Sequence, residues 1–117
     1  MKFTVSIKRN YEFQRLYHRG KSNVNSYLAV YYRKTRRTGN RLGITVGKKV
    51  GKAVVRNRVR RRIREIYRLH EDELSRGCEL VIVARVKAAF ASYRQLEQAY
   101  LSLADRLGLW DRGASEP

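Results

Sequence analysis

Few side chains in this 117-residue chain could carry a reaction. His18 and His70 could act as an acid–base pair on a phosphodiester, but each falls near the end of a different predicted helix, and their spacing does not bring them together. Metal-assisted cleavage needs converging carboxylates. The first 68 residues hold only Glu12 and Glu65, each read as a charge on a helix surface. No Gly-rich phosphate signature, Cys/His cluster or nucleophile elbow is present. The expectation is therefore no catalytic and no metal-ligating residue. What the chain offers in quantity is guanidinium. Residues 48–68, KKVGKAVVRNRVRRRIREIYR, contain ten Lys or Arg residues against one acid, Glu65.

That run still has the period of an amphipathic helix. At about 100° per residue, Val55, Val59, Ile63 and Ile66 share roughly one third of the circumference. Asn57, Arg60, Arg61, Arg64 and Arg68 lie opposite, with Arg56, Arg58 and Arg62 on the flanks. Like charges crowded on one helix face repel one another unless an anion neutralises them. Arginine favours phosphate as that anion, because the guanidinium fork matches its oxygens in pairs. The chemistry on offer is polyanion binding.

The rest of the composition narrows the class. The formal charge is +17 and the pI near 10.8, which points to nucleic acid ahead of an anionic membrane. Residues 1–68 carry 21 basic and two acidic residues, whereas residues 69–117 carry six basic and eight acidic ones, so the binding surface belongs to the first part and the second reads as scaffold. Hydrophobic residues make up 43%, enough for a packed core and too many for a disordered basic tail. No apolar stretch approaches the roughly 20 residues that span a bilayer. The start, MKFTVSIKRN, lacks the long apolar region of a signal peptide. The single Cys78 cannot form an internal disulfide and sits beside the apolar run 80–83, so it reads as a small buried hydrophobe in a reducing, cytoplasmic setting.

The elements that must position these residues follow from pattern. Asn10 is placed to cap a short helix over residues 11–18, stopped by Gly20, with Phe13, Leu16 and Tyr17 as an aromatic and aliphatic face. Residues 27–32, YLAVYY, read as a strand with Tyr27, Ala29 and Tyr31 on one face and Leu28, Val30 and Tyr32 on the other. A polar basic loop, 33–41, then leads to a strand over 42–46, and a hairpin is the expected connection. Gly47 and Gly51 bracket Lys48 and Lys49 ahead of the basic helix, about 52–69. Residues 79–84, ELVIVA, suit a buried central strand. Ser92 with Gln95 makes a capping box for a last helix over 93–107, whose core stripe is Leu96, Tyr100, Leu103 and Leu107. Gly108 closes that helix and residues 108–117 are expected to fray. The order α-β-β-α-β-α implies one α+β domain over residues 1–117, helices packed on a small sheet. The aromatic set Phe13, Tyr17, Tyr27 and Tyr31 can serve the core or stack unpaired bases, and composition alone does not choose.

At this point the chain resembles the protein subunit of bacterial ribonuclease P, over about residues 6–107. The most specific stretch is GKAVVRNRVRRRIREIYR at 51–68, whose Arg56-Asn57-Arg58 core matches the family's RNR signature. IKRNYEFQRLYHRGKS at 7–22 and RLGITVGKKVGKAV at 41–54 resemble the family's first helix and its second strand with the following loop. The resemblance implies a two-layer α/β sandwich with a small mixed sheet and a left-handed βαβ crossover, a hand that pattern alone would not suggest, since about 98% of such crossovers are right-handed. It also implies a ribonucleoprotein endonuclease whose RNA subunit holds the active site. That RNA removes the 5′ leader of precursor tRNA with magnesium and water, and the protein binds both the catalytic RNA and the leader.

Carried over position by position, the resemblance makes Arg56, Asn57, Arg58, Arg60, Arg61, Arg62, Arg64 and Arg68 the expected contacts to the catalytic RNA, extended by Lys48, Lys49 and Lys52. The expected leader cleft is Phe13, Tyr17, Ala29 and Tyr31, between the first helix and the sheet. Arg60 stands where the family usually has Lys, and Ala29 where a larger aliphatic residue is common, which implies a deeper cleft floor. Two rivals remain: a structural RNA-binding protein such as a ribosomal component, and a stand-alone ribonuclease working through His18 or His70.

Overall fold

The segment 78–84, CELVIVA, presents side chains that avoid water on both alternating faces, and such a strand needs neighbours on both edges and cover above and below. In the computed structural model, which describes residues 1–110, it takes the central place. The chain runs β1 (Thr4–Ser6), α1 (Asn10–Arg19), β2 (Lys21–Val24), β3 (Leu28–Lys34), β4 (Asn40–Val46), α2 (Ala53–His70), β5 (Cys78–Ala84) and α3 (Tyr93–Leu107). Short 3-10 turns lie at Lys48–Val50, Glu71–Glu73 and Val86–Phe90. The five strands form one mixed sheet in the order β1-β4-β5-β3-β2. β1 and β5 lie parallel to β4, whereas β3 runs antiparallel to both β5 and β2.

This order corrects the expected hairpin. β3 and β4 are not neighbours, because β5 inserts between them. The real hairpin is β2–β3, pairing Lys21 with Tyr32 and Val24 with Ala29. Its first arm, KSNV, is too short and too polar to announce itself as a strand. The expected loop 33–41 also shrinks at both ends, since β3 continues through Arg33 and β4 begins at Asn40. β4, α2 and β5 together make the parallel βαβ crossover.

Period-2 alternation divides the sheet into two faces. Leu28, Val30 and Tyr32, then Leu42, Ile44 and Val46, then Leu80, Ile82 and Ala84 face the larger core. Val59, Ile63, Ile66 and Tyr67 of α2 cover them, together with Leu96, Tyr100 and Leu103 of α3. Sheet and these two helices form the sandwich that the element order implied. Tyr27 packs on this side too, not beside Ala29 and Tyr31 as strand alternation suggested, because it precedes the first paired residue of β3. On the other face Tyr31, Val81 and Val83 meet Leu16, Phe13 and Tyr17 of α1 and Ile7.

The helix ends show which caps the sequence revealed. α3 has the full capping box: Gln95 N–H donates to Ser92 Oγ at 3.1 Å and Ser92 N–H to Gln95 Oε1 at 2.9 Å. Gly108 ends it in the left-handed region (φ 69°) that favours glycine. The chain does not fray there. Leu109 is 1% exposed, and Ser75 N–H donates to its carbonyl at 2.8 Å. Trp110 pairs with Leu74 and sits edge-on to Tyr100. Residues 111–117, the remainder of the expected tail, lie outside the described residues. Asn10 is the first residue of α1 and not its cap; Arg9 holds that place without a side-chain bond.

Two polar clusters tie the helices down. Buried Glu71 accepts from Lys2 N–H at 2.8 Å, Phe3 N–H at 3.2 Å and the Thr4 hydroxyl at 2.5 Å, which anchors the edge strand β1. Burial would raise its carboxyl, but those donors outweigh it and hold it low. His70 bridges α2 and α3, with Nδ1 3.2 Å from Glu73 Oε1 and Nε2 3.0 Å from Glu97 Oε2. Carboxylates only accept, so both contacts call for the doubly protonated ring. Burial opposes that charge, but the two acids outweigh it and raise the pKa above 6.5. The resulting stability is complete below the ordinary histidine value and fades as pH climbs through the raised one. His70→Gln should therefore lower the melting temperature at pH 6 and leave it nearly unchanged at pH 9. An equal loss at both pH values would assign His70 to packing alone.

Candidate nucleic-acid interface

α2 follows from its sequence: the apolar positions four and three apart drop onto the sheet and the arginines are left outside. Val59, Ile63, Ile66 and Tyr67 are buried, with Val55 only partly so. Lys48, Lys49, Lys52, Asn57, Arg61, Arg64 and Arg68 are exposed, and Arg56, Arg58, Arg60 and Arg62 are half-buried. The expected contacts thus lie on one continuous surface, but they are not equivalent. Arg61 and Arg64 have no ion pair or hydrogen bond within the described residues. Arg68 is paired with Glu65 (Nη2–Oε1 2.5 Å), which leaves it less free. Arg60 leans on Asn57 Oδ1 at 3.3 Å. Arg56 donates to the Gly51 carbonyl, Arg58 to the Ala89 carbonyl at 3.0 Å and Arg62 to the Ala91 carbonyl at 3.1 Å. The flanking arginines therefore also position α2 against its neighbours. Its first turn has no acid and no side-chain cap, so free N–H groups add to the positive field there.

The second surface lies beside α1. Gly43 lets this helix come close: a Cβ there would fall 2.5 Å from Phe13 Cε1. With Phe13 seated, Gly43 and Val81 are buried. The next row across the sheet, Ala29–Val83–Thr45 in the β3–β5–β4 register, is only half-buried. Tyr17 and Tyr31 border this row edge to face at 4.9 Å between ring centroids, and the Tyr17 hydroxyl lies 3.2 Å from Thr45 Oγ1. A hollow of about 410 Å³ lined by Ser22, Asn23, Val24, Ala29 and Tyr31 opens here. The structure brings Phe13, Tyr17, Ala29 and Tyr31 to one site. Beyond Val83 a groove of about 580 Å³ runs past Lys48, Lys49, Arg85 and Lys87. Arg85 and Lys87 were missed in the sequence; the only signal was two cations directly after the central strand.

At the opposite end of α1, an ion network escaped the sequence reading. Glu79, the second residue of β5, lies on the same face as Val81 and is 2% exposed. Its register partners are Arg33 on β3 and Arg41 on β4. Glu79 Oε1 lies 3.1 Å from Arg33 Nη2, and Oε2 lies 3.2 Å from Arg41 Nη1 and 3.4 Å from Arg15 Nη2. Glu12 pairs with Arg41 as well. It is buried, not the surface charge its place in a short helix suggested; the Arg41 hydrogen bond holds its carboxyl below the usual carboxylate range. These guanidinium groups are the acid-paired ones. Among the described residues of α2 only Arg68 is so paired, with Glu65.

No reactive constellation forms among the described residues. His18 is exposed on α1 and His70 lies on α2, and these helices cover opposite faces of the sheet. Cys78 is buried and burial pushes its thiol up to about 12, far from a reactive thiolate. Among the described residues no three His, Cys, Asp or Glu side chains could hold a metal ion. Glu12 and Glu79 are bound to arginines, Glu71 to backbone N–H groups, Asp72 to Lys2, Glu65 to Arg68, and Glu73 and Glu97 to His70. These residues do not fit a magnesium site. No helix among the described residues is long and apolar enough to cross a membrane.

The fold and its two surfaces define a small basic α+β protein with a cationic helix face and an aromatic-lined hollow. The chain matches the family Ribonuclease P over residues 1–108, and it belongs to that family. The ribonuclease P protein component of Clostridium botulinum (strain 657 / Type Ba4) is 44% identical over 106 residues, 90% of this chain and 96% of the relative. That of Alkaliphilus oremlandii is 38% identical over 109 residues, 93% and 96% of the two chains. The RNase P protein of Staphylococcus aureus superposes with a TM-score of 0.84 at 31% identity, covering 91% of this chain and 97% of that one. That of Thermotoga maritima gives 0.79 at 30% identity, covering 87% and 96%. Membership makes the chain a subunit of a ribonucleoprotein of tRNA processing, with an RNA partner.

Proposed function

We propose that this chain binds the catalytic RNA of ribonuclease P through α2 and holds the 5′ leader of precursor tRNA in the cleft beside α1. The RNA subunit carries the active site and its magnesium, and hydrolysis there releases the mature 5′ end in the cytoplasm. One observation carries the reading: the outer face of α2 keeps Arg61 and Arg64 exposed and without an acidic partner, while the arginines around Glu79 are neutralised internally. A folded protein that satisfies one set of guanidinium groups and leaves the other bare presents the bare set to an external anion. Lys48, Lys49 and Lys52 continue that field from the end of β4, and Arg85 and Lys87 carry it toward the cleft. Tyr17 and Tyr31 then offer ring faces and Ala29 a low floor, a combination that suits unpaired bases.

Counterion release provides the test. Binding of the chain to a bacterial catalytic RNA should weaken log-linearly with salt, and Arg61→Ala should flatten the slope by roughly one unit. Glu65→Gln should instead strengthen binding slightly, since Arg68 is then free of its internal partner. An unchanged slope for Arg61→Ala would remove this residue from the phosphate contacts. Precursor cleavage by the purified chain without RNA, abolished in His18→Ala or His70→Ala, would replace the reading with a stand-alone nuclease.

A further inference from the structure

The Val86–Phe90 turn carries a side chain that neither core nor ion network uses. Phe90 is 85% exposed, the most exposed large hydrophobic group among the described residues. A lone apolar residue on a surface is ordinary; its mounting here is not. Val54, Arg58 and Arg62 recur every fourth residue along α2, so they share one flank. Arg58 Nη2 donates to the Ala89 carbonyl and Arg62 Nη1 to the Ala91 carbonyl, the two residues on either side of Phe90. Ala88 and Ala91 are buried beneath. The backbone is thus clamped on both sides and seated from below, while the ring points into solvent beside the arginine face. Lys87 lies on the same turn, and the Lys48–Val50 turn packs against it and brings Lys48 and Lys49 into the adjoining groove.

We infer that Phe90 is a stacking contact for an unpaired base of the catalytic RNA, presented by the Arg58 and Arg62 clamps next to the phosphate-binding face of α2. The inference deepens the proposed function and rests on it. The charge around the ring selects the occupant: an apolar protein surface would gain nothing from the cations, whereas a nucleotide needs both a ring partner and neutralised phosphates. A backbone held in advance on both sides of the ring leaves only the side-chain rotamers to be ordered on binding, which is the use of a clamped turn over a flexible one.

The experiment measures the affinity of the full chain for a bacterial catalytic RNA across a salt series, for wild type, Phe90→Ala, Phe90→Leu and Phe90→Tyr. The ring is exposed, so all variants should fold, which far-ultraviolet dichroism checks. Phe90→Ala and Phe90→Leu should weaken binding about 5- to 150-fold, the range for losing one base-stacking ring, and Phe90→Tyr should keep it. The salt slope should not change in any of them, because no phosphate contact is lost, in contrast to Arg61→Ala. Wild-type affinity in Phe90→Ala would overturn the inference while leaving the proposed function standing. Full affinity in Phe90→Leu would overturn it too, by showing an apolar contact without stacking, as would a Phe90-dependent self-association with RNA binding intact. Failure of the wild type itself to bind would sink both.

Discussion

Glu79→Gln should cost about 3 kcal/mol of folding stability at neutral pH, the largest effect expected of any single charge in this protein. The reason is geometric. One buried carboxylate is shared by Arg15, Arg33 and Arg41, drawn from α1, β3 and β4. Gln keeps the volume and removes the charge, leaving three guanidinium groups with only Glu12 between them. Removing one partner of a buried pair is typically worth about 3–5 kcal/mol. The low end applies because Arg15 and Arg33 keep about a third of their side chains in water (34% and 35%). Urea unfolding checks it: the midpoint should fall with an unchanged m-value. A loss below about 1 kcal/mol would reduce the network to an ordinary surface cluster. Glu12 sets the sign of the pH dependence. Its carboxyl is held low by Arg41, so the stability it adds is present above the usual carboxylate range and is lost as pH falls through the depressed value.

Tyr31→Ala should weaken binding of precursor tRNA to the assembled holoenzyme by about 1–3 kcal/mol, roughly 5- to 150-fold, and barely change binding of mature tRNA. The ring of Tyr31 stands between Tyr17 and the half-open row Ala29–Val83–Thr45, so its loss removes one wall of the hollow. Paired titrations with the two tRNA forms measure the difference directly. Equal weakening of both forms would show that Tyr31 serves packing with α1 and not the leader. Tyr31→Phe separates the ring from its hydroxyl and should retain most of the discrimination.

The elements with a strong local signature were legible. The arginine helix declared itself because its apolar and basic positions repeat at 3.6 residues, and α3 because Ser92 and Gln95 satisfy each other's backbone donors. β5 was readable as central because it is apolar on both faces. With only three strands legible, a central β5 needing two partners separates β3 from β4, which excludes a hairpin between them. β1 and β2 were invisible, since three- and four-residue edge strands are set by the partner they pair with. Glu12 misled in the same way. A carboxylate on a short helix looks like a surface charge until the fold brings Arg41 of β4 between it and Glu79, and that meeting is non-local. The aromatic cleft shows the boundary most sharply. Phe13, Tyr17 and Tyr31 could have been core residues on composition alone, and it is the register, leaving Ala29, Val83 and Thr45 half-open, that keeps the rings beside an open row. Leu109 and Trp110 were lost to the tail because they show no period, yet Leu109 is as buried as any core leucine.

The proposed division of labour gives binding to this protein and bond cleavage to an RNA. The most direct measurement is cleavage of precursor tRNA by a bacterial catalytic RNA at low magnesium, with and without the chain. Protein alone should not cleave, RNA alone should cleave weakly, and the wild type should stimulate strongly, an effect that should fall in Arg61→Ala and Tyr31→Ala. Stimulation no greater than that of polylysine at equal charge would contradict that division, as would cleavage by the protein in the absence of RNA.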